Sequence, residues 1–207
     1  MVIKKNQSRL FFSLIALVSI YTQCNKRLDC ANTVYSFEMG IKAYPDRDSI
    51  SVGDTIWLEI NEPATLKDAL SGKMIDYSDA ANLGTAISFA KLIAVSQTDD
   101  QVASQFKFVL LQGNEIARPD TSKYREFNFS ELNDFYKFKL AIIPKEPGVF
   151  KMFVSSASNV YRKNDKCTKA GFTINFKETN QHFYFNEVSF PGIILSGKNG
   201  VYLFKVK

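Results

Sequence analysis

Strict alternation of apolar and polar residues runs through most of this chain, and it restricts the fold more than any other feature. Tyr35, Phe37, Met39, Ile41 and Ala43 are separated by Ser36, Glu38, Gly40 and Lys42. Successive side chains of an extended strand point to opposite faces, so a period of two marks a strand with one face in a core and the other in water. The pattern returns at Phe106, Phe108 and Leu110, at Tyr136, Phe138, Leu140 and Ile142, at Phe150, Met152 and Val154, at Phe172, Ile174 and Phe176, and at Tyr202, Phe204 and Val206. Turn-forming tracts stand between these runs: Tyr44-Pro-Asp-Arg-Asp48, Val52-Gly-Asp54 and Pro144-Lys-Glu-Pro-Gly148. Thr55–Ile60 reads as a further strand. Many short strands with few helical windows predict an all-β chain, an antiparallel β-sandwich of immunoglobulin-like character. Of its 18 phenylalanines, the 16 from Phe37 onward supply the filling.

Some local expectations are less regular. The Pro144–Gly148 turn should join its two flanking strands as a hairpin. Ala64–Ser71 reads as a short helical turn, with Leu66 and Leu70 four apart on one face. Ile87–Ala94 is nearly continuous in apolar residues and, beside Gly84 and with β-branched content, reads as a strand. Asn114–Asn133 reads as an embellishing hairpin on a single domain spanning 33–207.

The first 23 residues read as an export signal. Lys4, Lys5 and Arg9 form a basic start, and Leu10–Tyr21 is apolar but for two serines. Such a helix reaches roughly 18 Å at ~1.5 Å per residue, well short of a bilayer core of about 30 Å. A removable segment fits better than a permanent span. Cys24 follows three residues later and is the expected lipidation site, although Tyr21, Thr22 and Gln23 before it make an atypical lipobox. Residues 24–32 then form a short anchored linker. The expectation is an exported protein held by lipid at the bacterial cell envelope, on the outer membrane and facing the periplasm.

Three cysteines sharpen this reading. With Cys24 carrying lipid, Cys30 and Cys167 remain as a disulfide pair suited to an oxidising compartment. A zinc site is not expected, because no CxxC spacing exists and His182 is the single histidine.

Charge excludes nucleic acid as a partner. The formal charge is +5, but Lys4, Lys5 and Arg9 leave with the signal and no acid does, so the mature chain carries +2. The remaining cations alternate with acids and form no basic stripe. The partners expected are the membrane, through the lipid, and a protein or glycan.

Catalytic chemistry finds little to work with. His182 stands without a Gly-x-Ser-x-Gly elbow, and reads as a structural residue on an aromatic-rich strand. Carboxylate pairs that could in principle hydrolyse a glycoside include Glu59 with Glu62, Asp76 with Asp79, and Asp99 with Asp100. Asp46, Asp48 and Asp54 form a thin calcium candidate. None has a distinctive context, so no catalytic residue, metal or cofactor is expected. A binding surface has more support. Trp57 is out of phase with Ile56, Leu58 and Ile60 and should face away from the core. With Tyr44 and Tyr77, and with Tyr161 and Tyr184 further along, it could form an aromatic platform of the kind that stacks on sugars.

The stretches Tyr35-x-Phe37, Ser49-Ile-Ser-Val-Gly-Asp-Thr-Ile-Trp57 and Lys73-Met-Ile-Asp-Tyr-Ser78, with Pro144-Lys-Glu-Pro-Gly-Val-Phe150 and Cys167-Thr-Lys further on, resemble exported lipoproteins of Bacteroidetes bacteria that are themselves uncharacterised. The resemblance implies an envelope location and transfers no active-site residue. The reading is therefore a non-enzymatic, membrane-anchored binding or envelope module. A carbohydrate-binding accessory role is the alternative, and a hydrolase is a weaker one.

Overall fold

Alternation becomes architecture in β1 (Thr33–Tyr44), where Phe37, Met39, Ile41 and Ala43 are buried while Glu38 and Lys42 are exposed. The computed structural model describes residues 33–95, 97–189, 191 and 200–207. The expected export signal, Cys24 and Cys30 lie outside the described residues, and Thr33–Lys207 forms one compact unit. The further strands are β2 (Ser49–Ile50), β3 (Ile56–Pro63), β4 (Thr65–Lys67), β5 (Met74–Asp76), β6 (Ala80–Ala81), β7 (Gly84–Ala94), β8 (Gln97–Asp99) and β9 (Phe106–Gln112). They continue with β10 (Asn114–Ile116), β11 (Tyr124–Asn128), β12 (Ser130–Leu132), β13 (Phe135–Pro144), β14 (Gly148–Val154), β15 (Ala157–Arg162), β16 (Asp165–Phe176) and β17 (Val201–Val206). Among the described residues one α-helix, α1 (Tyr184–Ser189), interrupts the aromatic tract near the C-terminus.

Two sheets form a sandwich. The first has eight strands in the order β12-β13-β3-β1-β16-β15-β6, with β9 also on β13. The second has seven in the order β10-β11-β7-β14-β17-β2, with β8 also on β7. Their inner faces share one hydrophobic cluster. Aromatic rings join the sheets: Phe127 of β11 lies 5.6 Å from Phe138 of β13, and Phe176 of β16 lies 5.6 Å from Tyr202 of β17. The all-β sandwich read from the alternation is what the chain adopts. Most pairings are antiparallel, but β1–β16 and β17–β2 are parallel. Parallel neighbours need a long crossover rather than a tight turn, and here the partners lie far apart in sequence.

Three local expectations are corrected. The Pro144–Gly148 turn is not a hairpin. One edge of β13 is taken by β3 and the other by β9 and β12, so β14 crosses to the second sheet and pairs with β7 and β17. Residues 114–133 are not an embellishment, because β11 pairs with β7 over five residues inside the second sheet. Gly84 permits that pairing, since an added Cβ would stand 2.0 Å from the Phe127 carbonyl oxygen. Ala64–Ser71 is not helical. β4 pairs with β5, Leu66 is buried and Leu70 is 73% exposed, so the two leucines do not share a face. Ile87–Ala94 is strand, as its flanking glycine and β-branched residues suggested.

Asp68 organises the turn between β4 and β5. Its buried carboxylate accepts the Ser36 and Ser71 backbone N–H groups, each at 2.9 Å, and the Ser71 hydroxyl at 2.6 Å. These donors, led by Ser36, hold its pKa at about 2 against an ordinary 3.8. A lowered carboxylate pKa adds stability that is complete above the unfolded value and lost as pH falls through the folded one. Thermal melts from neutral pH down to about 2 should show wild type losing stability below its ordinary carboxylate range more steeply than Asp68→Asn. Parallel acid limbs would remove Asp68 from the account.

Among the described residues no helix is long and apolar enough to cross a membrane.

Candidate functional site

The outer face of the eight-stranded sheet gathers the polar and aromatic residues that alternation turns away from the core. β1 and β3 meet antiparallel with Lys42 opposite Glu59, Ala43 opposite Leu58 and Tyr44 opposite Trp57. On the far side of β3, β13 sets Lys139 opposite Glu59 and Ala141 opposite Trp57. Because Ile56, Leu58 and Ile60 point inward, Trp57 and Glu59 must point outward, and Tyr44 and Lys42 do so by the same rule on β1.

The register produces a fixed cluster. Tyr44 and Trp57 lie with ring centroids 6.5 Å apart and planes 21° from parallel. The Lys139 ammonium stands 5.5 Å from the Trp57 ring, 5.9 Å from the Tyr44 ring and 3.7 Å from the Glu59 carboxylate. The Tyr44 hydroxyl donates to Glu59 Oε2 at 2.7 Å. Desolvation, aided by the bond to Glu59, raises the Tyr44 pKa, so the phenol remains a donor. The Lys139 pKa is raised by its contact with Tyr44 and by Glu59, so the ammonium stays charged. Each cation–π contact at a surface is worth only about 0.5–1 kcal/mol. Together they hold two aromatic faces, one cation and one anion in set positions.

Beside this cluster the sheet opens. Pairing between β1 and β3 ends at Lys42 and Glu59. Gly40 N–H then donates to Glu62 Oε1 at 2.9 Å, a side chain taking the place of a ladder carbonyl. Lys177 Nζ lies 3.8 Å from the same oxygen. An added Cβ on Gly40 would fall 2.5 Å from Lys177 Cδ and 2.9 Å from Glu62 Oε1, so glycine keeps this floor clear. The result is a groove of about 270 Å³ edged by Glu59, Glu62 and Glu178, by Lys42 and Lys177, and by the Asn61 amide. Lys42 and Glu178 are hydrogen-bonded across its mouth. The groove offers donors and acceptors in near balance, next to an aromatic pair.

No family model matches the chain, and no curated protein matches it. It is similar to a reeler domain. That solved structure, from human F-spondin, aligns with 89% of this chain and 100% of its own length at a TM-score of 0.38 and 7% identity. The likeness is too distant to assign anything to the groove.

The expected platform is therefore partly assembled. Tyr44 and Trp57 are together and half-buried, but Tyr77 is not with them. Tyr77 is fully buried; its hydroxyl donates to the Val160 carbonyl at 2.8 Å and lies 3.3 Å from that of Thr168. Its ring packs 5.2 Å from Phe37 and 5.6 Å from Phe172. A tyrosine whose hydroxyl finds carbonyls inside a core is structural. Tyr161 sits on β15 against Lys169, and Tyr184 donates to Asp48 from α1, so neither joins the pair.

His182 is buried, but not on a strand. It lies in the left-handed region (φ 50°) just before α1, and its Nδ1–H donates to the Leu203 carbonyl at 2.9 Å. Asp46, Asp48 and Asp54 accept from three different partners, Asn180 N–H, the Tyr184 hydroxyl and Ser51 N–H, and Asp46 Oδ1 also lies 3.6 Å from His182 Nε2. Among the described residues no group of three or more His, Cys, Asp or Glu is placed to hold a metal. Cys167 stands half-buried on β16; Cys24 and Cys30 lie outside the described residues. Of the carboxylate pairs singled out in the sequence, Glu59 and Glu62 alone edge the groove. Lys42, Lys139, Lys177 and Glu178 carried no sequence signal beyond outward parity, because neighbouring strands cannot be read from local pattern.

Proposed function

We propose that this protein is an exported, lipid-anchored binding module whose outer sheet face recognises a polyhydroxylated ligand, a glycan of the cell envelope. The observation that carries the reading is the Tyr44–Trp57 pair, held by Glu59 and Lys139 at the rim of a polar groove. Aromatic faces stack on the apolar faces of sugar rings, while balanced donors and acceptors bond their hydroxyls. No step of chemistry is assigned to the site.

Trp57 is the single tryptophan, so tryptophan emission, excited selectively over tyrosine, reports on this site alone. Titration with envelope polysaccharides and their oligosaccharides should shift its emission saturably. Trp57→Ala, followed by calorimetry, should weaken binding about 30-fold or more, as for an interface anchor worth about 2 kcal/mol. Equal affinity of wild type and Trp57→Ala would sink the assignment.

The anchor belongs to the same reading. It is supported by the basic start, the short apolar run and Cys24, and by the likeness to Bacteroidetes lipoproteins. The short, initially basic linker Asn25-Lys-Arg-Leu-Asp29 favours the periplasmic face of the outer membrane. Intact mass of the membrane-extracted protein should begin at a lipidated Cys24. The pairing of Cys30 with Cys167 is supported by chain reach. Two residues separate Cys30 from Thr33, and Thr33 pairs with Thr168, the neighbour of Cys167. Alkylation with and without reductant, read by mass, should find both thiols protected until reduction.

A further inference from the structure

The end of the sandwich from which the chain runs back toward Cys24 carries exposed apolar side chains on several separate segments. β1 begins there at Thr33, and register brings other elements to the same end. β3 is antiparallel to β1 and finishes at Pro63, opposite Phe135 at the start of β13, and Leu132 of β12 pairs with Phe135. The turn 133–134 between them has two positive φ angles, 52° and 60°, which make it a tight hairpin. The turn between β4 and β5 is tied alongside, since Ala69 N–H donates to Ser36 O at 2.7 Å. On these segments Val34, Leu70, Met74, Leu132 and Phe135 are exposed, Leu70 at 73% and Met74 at 62%. Apolar side chains clustered at loop tips, rather than scattered singly, mark a contact surface.

We propose that this end rests in the interfacial layer of the lipid bilayer that holds the anchor. The inference rests on lipidation at Cys24 under the proposed function and deepens it. What commits the surface to lipid is the length of the connecting chain. Eight residues, Asn25 to Asn32, separate Cys24 from Thr33, and even fully stretched they span about 30 Å. The twelve residues of β1 run about 40 Å at ~3.3 Å each. A tether shorter than the sheet keeps the Thr33 end near the membrane, and exposed Leu, Met and Phe tips there enter the boundary between headgroups and acyl chains. Ile93 and Val95, equally exposed, lie beyond Leu92, which pairs with Val149 just after the turn that leaves β13 at its far end. They stay in water and serve as a control.

The test places tryptophan at each end of the lipidated full-length protein. In a Trp57→Phe background, Leu70→Trp, Leu132→Trp and Ile93→Trp are reconstituted into phosphatidylcholine vesicles, and into vesicles of the same lipid with dibrominated acyl chains. Emission from Leu70→Trp and Leu132→Trp should fall about two-fold in brominated vesicles, as for side chains ~5–10 Å into the interface. Emission from Ile93→Trp, and from native Trp57, should not change. Vesicle flotation separates the two ideas. Protein that floats while all positions escape quenching keeps its anchor and overturns the apposition. Protein that does not float overturns the anchor and the apposition with it. The two near-end sites sit on separate turns, so a variant that fails to fold leaves the other to decide.

Discussion

Replacing Phe106 by alanine is expected to remove about 3–5 kcal/mol of stability, the usual cost of truncating a fully enclosed aromatic. Phe106 begins β9, a member of the eight-stranded sheet through its pairing with Pro144. Its ring stacks on Phe89 of β7 at 4.0 Å and meets Phe150 of β14 at 5.0 Å and Phe204 of β17 at 6.2 Å. All three partners belong to the opposite sheet, so this one side chain keys the two layers together. Truncation opens a void between sheets whose backbones are each tied by ladders and cannot collapse to fill it. Domains are commonly stable by about 5–15 kcal/mol in total, so the loss is a large share. Urea denaturation should show a lower midpoint with an unchanged slope, and Phe106→Leu should recover part of the loss. A cost below about 1 kcal/mol would show that the sheets are keyed elsewhere.

The second large effect is expected at Tyr77. Its hydroxyl donates to the Val160 carbonyl and approaches that of Thr168, its ring fills space between Phe37 and Phe172, and its own carbonyl accepts the Tyr136 hydroxyl. Burial pushes the Tyr77 pKa up to about 12, so it remains a donor throughout the usual pH range. Tyr77→Phe leaves buried carbonyl oxygen poorly satisfied, at a cost of about 1–3 kcal/mol. Tyr77→Ala adds a cavity and should approach the ~3–5 kcal/mol of other enclosed aromatics. Thermal melts distinguish the two. Trp57 emission in the folded state should match wild type in both variants, because Tyr77 has no part in the outer face. A shifted emission would reconnect Tyr77 to the groove and undo its structural assignment.

Much of the architecture was legible in the local pattern. Phe37-Met39-Ile41-Ala43 and Phe138-Leu140-Ile142 told which face of their strands would be buried, because side-chain direction in a strand has a period of two regardless of context. The same rule turned Trp57 outward. Connectivity was not legible. The Pro144–Gly148 turn reads alike whether β14 folds back beside β13 or crosses to the other layer, and the choice depends on edges that β3, β9 and β12 already occupy. Ala64–Ser71 resembled a helical turn because Leu66 and Leu70 are four apart. Asp68, bonded to Ser36 from a different strand, imposed a tight turn instead. Tyr77 looked like a platform residue because tyrosine bridges core and solvent equally well; only distant carbonyls decided that its hydroxyl lies inside.

By itself the sequence determined the β class, the inward face of each long strand, and the outward turn of Trp57 and Glu59. These are properties of one strand or one stretch of chain, and local periodicity carries them. Tertiary structure alone decided that Tyr44 would stand beside Trp57, that Lys139 would cover both, that Gly40 and Glu62 would open a groove next to them, and that Leu70, Leu132 and Phe135 would gather at the Thr33 end. Each of those is a meeting between strands far apart in sequence. Register and sheet order arise from the packing of all the strands together, so no local stretch of residues encodes them.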